Sequence, residues 1–75
     1  MTETDLEDAF AQGLALLIYT SRIGRFVEGY LIALHWPAAP DAFLLEGMEY
    51  TIDLSERINF YWIQRSDPSL IIKPA

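Results

Sequence analysis

Residues 48–64 read MEYTIDLSERINFYWIQ, and the way this stretch pairs with itself decides the fold. Met48, Tyr50, Ile52 and Leu54 alternate with Glu49, Thr51 and Asp53; after a gap, Ile58, Phe60 and Trp62 alternate with Asn59 and Tyr61. A period of two is that of a half-buried strand, so the stretch reads as a hairpin. A loop of only Ser55 and Glu56 opposes Leu54 to Arg57 and Ile52 to Asn59, which mixes apolar and polar side chains on both faces. The loop Ser55-Glu56-Arg57 instead opposes Leu54 to Ile58, Ile52 to Phe60, Tyr50 to Trp62 and Met48 to Gln64. In that register the large apolar side chains share one core face with Trp62 buried, while Glu49, Asp53 and Tyr61 look outward. A helical rival starts at the capping box Asp53-Leu54-Ser55-Glu56. It is disfavoured because Phe60-Tyr61-Trp62-Ile63 is a run of bulky residues that lose side-chain freedom in a helix.

Working outward, Thr4-Asp5-Leu6-Glu7 has the form of a capping box and predicts a helix start. Apolar positions Leu6, Ala9, Phe10, Gly13, Leu14, Leu17 and Ile18 keep helical spacing to about Thr20. Alternatively, Gly13 ends the helix in the left-handed region and residues 14–20 form a buried strand, which Leu16 and Tyr19, off the helical stripe, favour. Ser21-Arg22-Ile23-Gly24 is then a turn, with Gly24 available for a positive φ. Residues 25–36 read as a strand. A helical pattern competes there through Ile23, Phe26, Val27, Tyr30, Leu31 and Leu34, but Gly24 and Gly29 each cost ~1 kcal/mol against alanine inside a helix.

Pro37-Ala38-Ala39-Pro40 is a break, since two prolines remove amide donors. Residues 41–46 are expected to make a helical turn capped by Asp41 and ended by Gly47. Ser66-Asp67-Pro68-Ser69 is a turn by composition, and Leu70-Ile71-Ile72 a short strand stopped by Pro74. The expected fold is α+β, one domain over residues 1–75 with the N-terminal helix packed on a small antiparallel sheet. The alternative is a small all-α helical bundle.

With 75 residues the chain buries only about 60% of its unfolded surface, yet 52% of its residues are hydrophobic and 13% aromatic. That excess points to a homo-oligomer, in the first instance a dimer. The absence of cysteine removes disulfides and thiolate metal sites and fits a reducing, cytoplasmic setting. No apolar run approaches the ~20 residues of a spanning helix, so no membrane partner is expected.

The net charge of -6 disfavours direct nucleic-acid binding, which needs clustered Lys and Arg. His35 is the sole histidine, and no serine stands in a nucleophile pattern beside it, so neither enzyme activity nor a metal or cofactor is expected. Two function classes remain. The first is a small acidic interaction module, an inhibitor or modulator occupying a partner protein's basic, possibly nucleic-acid-binding, site. Asp41, Glu46, Glu49, Asp53, Glu56 and Tyr61 are its candidate contact residues, with Glu49 and Asp53 on one strand face standing in for successive phosphates. The second is a ligand-binding or structural homo-oligomer whose Tyr19, Tyr30, Trp36 and Tyr61 line an apolar pocket or a subunit seam.

Overall fold

The computed structural model describes residues 2–35 and 38–75. Its first element is helix α1, Glu3–Gln12, capped by Thr2 rather than Thr4: Thr2 Oγ1 accepts from the Asp5 amide at 3.2 Å, and Asp5 accepts from the Thr2 amide at 2.9 Å. The earlier start brings Glu3 into the first turn, where its charge suits the helix dipole. Gly13 closes the helix with φ 64°, the left-handed conformation that a residue without a side-chain carbon adopts at little cost. Leu6 and Ala9 are its buried residues.

Five strands follow: β1 Leu16–Tyr19, β2 Val27–Ala33, β3 Ala42–Tyr50, β4 Glu56–Gln64 and β5 Ile71–Pro74. They form one antiparallel sheet in the order β4-β3-β2-β1-β5, with the helix packed on one side, so the arrangement is α+β and not a helical bundle. Gly24 supplies the positive φ of the β1–β2 turn at 79°. The expected strand over residues 25–36 shortens to Val27–Ala33, and its Trp36 end, like Pro37 in the expected break, lies outside the described residues.

Residues 41–46 are not a helical turn. Ala42, Phe43 and Leu45 are buried in β3, Asp41 precedes it, and Gly47 lies buried within the strand instead of ending a helix. This longer β3 overturns the expected hairpin register. Met48 opposes Ile58, Leu45 opposes Tyr61 and Phe43 opposes Ile63, while residues 51–55 form the loop. Both registers put the same residues of each strand on a common face, because the slip is even. The face that becomes the core is the opposite one. Phe43, Leu45 and Ile63 are essentially inaccessible, whereas Met48, Tyr50, Ile58, Phe60 and Trp62 lie outside. Phe43 and Leu45 decide this, since they bind the sheet to Leu6, Leu16, Ile18, Val27 and Leu31. Among the described residues, no second layer covers Met48, Tyr50, Ile58 and Phe60.

The sheet is curled. Residues 65–70 connect β4 to β5, which are its two opposite edges. On a flat sheet those edges stand about 19 Å apart, and this connector contains two turns, closed by Asp67 N–H to Gln64 O and Leu70 N–H to Asp67 O, so it cannot run extended across that gap. The edges therefore approach each other at this end. Arg22, from the β1–β2 turn, donates to the Trp62 carbonyl at 2.7 Å, and the Ser21 amide donates to Ser69 Oγ at 2.8 Å. Gly29 and Gly47 face each other across β2 and β3 where the curl needs room, and the Tyr61 ring covers Gly47.

Arg65 fixes the helix to this closed end. Its guanidinium pairs with Glu3, donates to the Leu34 carbonyl at 2.5 Å and lies over the Phe43 ring at 5.7 Å. A half-buried arginine with a carboxylate, a carbonyl and an aromatic face is well suited to join three elements.

Candidate functional site

The six residues singled out from the sequence do not form one surface. Asp41 lies before β3, where its carboxylate accepts from the Ser66 hydroxyl at 2.6 Å and the Ser66 amide at 3.3 Å. Glu49 is near the other end of that strand, about 26 Å away at strand rise. Glu46 is half-buried on the outer face between Tyr30 of β2 and Phe60 of β4. Glu56 opposes Tyr50 at the start of β4.

Glu49 and Asp53 do not share a strand face, because β3 ends at Tyr50 and Asp53 belongs to the loop. Glu49 points to the core side, with its side chain only 18% exposed. It accepts from the Tyr61 hydroxyl and pairs with Arg25 at 2.7 Å. The Tyr61 hydroxyl, with the Arg25 guanidinium second, holds the Glu49 carboxyl below its ordinary range. Burial, then the bond to Glu49, pushes the Tyr61 hydroxyl up. Tyr61 is thus half-buried against the core rather than outward, and Trp62, expected to be buried, is 40% exposed.

The Asp53 carboxylate is spent on its own loop. Oδ1 accepts from the Thr51 hydroxyl, from the Ser55 hydroxyl at 2.7 Å and from the Ser55 amide at 3.1 Å. Those bonds, Thr51's first, bring its pKa down to about 2. They also support Leu54, a non-glycine residue at φ 64°. The expected aromatic pocket does not form either. Tyr30 and Tyr61 lie on opposite faces, Tyr19 stacks on Phe26 with ring centroids 5.5 Å apart, and Trp36 lies outside the described residues.

What the structure does bring together is the apolar side of the β3–β4 arm. Met48, Tyr50, Ile58 and Phe60 occupy its outer face, and Ile52 and Leu54 its loop; Tyr50 is 72% exposed, Phe60 61%, and Ile52 fully exposed. At ~150–200 Å² for a large side chain, the four on the outer face present roughly 400 Å² to solvent, and with the two of the loop the arm presents roughly 700 Å². The largest apolar patch on an ordinary monomer is about 300–600 Å². The alternation in residues 48–60 signalled this group correctly, but the side it faces depends on Phe43 and Leu45, outside the stretch.

Among the described residues, no three histidine, aspartate or glutamate side chains gather as a metal site requires. No helix among them is long and apolar enough to cross a membrane. Comparison with protein-family models, curated proteins and solved structures found no match.

Proposed function

We propose that this protein is a structural subunit that assembles with copies of itself, and that the apolar side of the β3–β4 arm is the seam. The roughly 700 Å² on Met48, Tyr50, Ile52, Leu54, Ile58 and Phe60 carries the reading. It is close to the ~800 Å² that each partner contributes to a standard interface. The six side chains belong to one hairpin, four on its outer face and two in its loop.

The other reading, an acidic stand-in for a nucleic-acid backbone, needs its carboxylates contiguous and free. Here Asp41, Glu49 and Asp53 are engaged by Ser66, by Tyr61 and Arg25, and by Thr51 and Ser55. Sedimentation equilibrium of the full chain over a wide concentration range tests the proposal. We expect a mass of at least two chains at micromolar concentration and a thermal midpoint that rises with concentration, as coupled folding and assembly require. A monomer throughout, with a concentration-independent midpoint, overturns it.

A further inference from the structure

We infer that two copies join edge to edge, their β4 strands pairing antiparallel about a two-fold axis through residues 56–60. This rests on the self-assembly reading and adds to it a backbone contact along the sheet edge beside the apolar face. Every sheet has two edges, and here they are treated differently. The β5 edge is four residues long, carries Lys73 and ends in Pro74, with the Lys73 ammonium held 4.4 Å from the centre of the Phe26 ring. Short length, lysine and proline are the usual means of blunting an edge. β4 is nine residues long, with no proline or lysine.

The hydrogen-bond phase shows which groups β4 leaves open. The Arg65 amide bonds the Asp41 carbonyl at 2.8 Å and the Thr51 amide bonds the Ser55 carbonyl at 3.1 Å, both in the register of the β3–β4 ladder. Odd-numbered β4 residues therefore bond β3, and even-numbered ones turn their amide and carbonyl to the free edge. The Trp62 carbonyl, an even position, is met from outside by Arg22, as that phase requires. This contact closes the upper part of the edge and leaves Glu56, Ile58 and Phe60.

An antiparallel edge is complementary to its own copy, since a two-fold axis brings donors opposite acceptors in a closed, isologous pair. Charge agrees with it. The chain carries -6 overall, but Glu56 and Arg57 stand side by side and residues 58–64 carry no charge, so this edge can approach its copy without like-charge repulsion. The joined sheet places Ile58 and Phe60 of both copies on one continuous outer face, where Met48 and Tyr50 flank them.

The test compares the wild-type chain with Ile58→Pro and Ile58→Thr. Both remove the large apolar side chain, but only proline removes an N–H that the ladder phase turns away from β3 to the edge. We expect Ile58→Pro to keep the wild-type circular-dichroism spectrum while dissociating at least tenfold more readily than Ile58→Thr. Amide exchange on the wild type gives a second, mutation-free readout: the Ile58 and Phe60 amides gain protection as concentration drives assembly. Equal weakening by both substitutions, or fast exchange at Ile58 and Phe60 in an assembled sample, overturns edge pairing and leaves self-assembly standing. A wild-type chain that stays monomeric removes both.

Discussion

Tyr61 and Trp62 are consecutive on β4 and face opposite sides of the sheet. The Tyr61 ring covers Gly47 and its hydroxyl donates to Glu49 on the helix side, whereas the Trp62 ring lies on the outer face. Burial, not size, therefore decides which of the two matters more to the fold. Truncating a buried aromatic costs about 3–5 kcal/mol. Tyr61, half-buried and bonded to Glu49, falls at the lower end of that range. We expect Tyr61→Ala to lower stability by about 3 kcal/mol and Trp62→Ala by at least ~1 kcal/mol less. Urea unfolding of both variants, at a concentration where assembly is the same, decides it. Equal midpoints would contradict the register.

The paired glycines make a second pair of variants. A β-carbon on Gly29 meets the Glu46 carbonyl oxygen at 2.2 Å, a backbone atom that cannot move without breaking the β2–β3 ladder. On Gly47 it meets Tyr61 Cε2 at 2.7 Å, a ring that can tilt away. Gly29→Ala is therefore expected to cost several kcal/mol or prevent folding, in the manner of overpacking without relief. Gly47→Ala should cost about 1–3 kcal/mol and loosen the Tyr61–Glu49 bond. Thermal unfolding ranks the two, and a larger loss at Gly47 would speak against the glycine contact that the curl requires.

Most elements were legible because their signals are local. Gly13 and Gly24 supply positive φ where the turn chemistry demands it, and the short final strand forms, though over Ile71–Pro74, without Leu70 and with Pro74 inside it. The helix cap was displaced because Thr2 and Thr4 both precede an acid by three residues, and the pattern alone does not choose between them. The hairpin register was not local. Residues 48–62 alternate cleanly enough to define a face, but a face is inside only if another layer covers it, and the layer that α1 provides reaches Phe43 and Leu45. The acidic residues were misplaced for a related reason: Glu49 alternates with Phe43 and Leu45 onto the core side, and Arg25, which pairs with it there, is 24 positions away in the chain and in no motif with it.

The last prediction concerns pH. Glu49 has a folded-state pKa below its ordinary 4.5, through the Tyr61 hydroxyl first and Arg25 second. A depressed carboxyl pKa contributes stability that is complete above the unfolded value and is lost as pH falls through the folded one. The loss therefore lies on the acid side, below about 4.5. Asp53 behaves likewise, from 3.8 toward about 2, but its carboxylate is exposed and its bonds serve the loop, so it should govern loop order rather than global stability. Tyr61 gives the opposite limb, since a raised pKa contributes below the ordinary value of 10.0 and fades as pH rises through the folded value. We expect Glu49→Gln to flatten the acid limb of stability against pH and to return the Tyr61 titration toward 10.0. Asp53→Asn should leave the acid limb nearly unchanged while increasing amide exchange in residues 51–55. Chemical denaturation at a series of pH values, with tyrosine absorbance at high pH, reads both limbs. An acid limb that survives Glu49→Gln would show that the Arg25–Glu49–Tyr61 contact does not couple to folding.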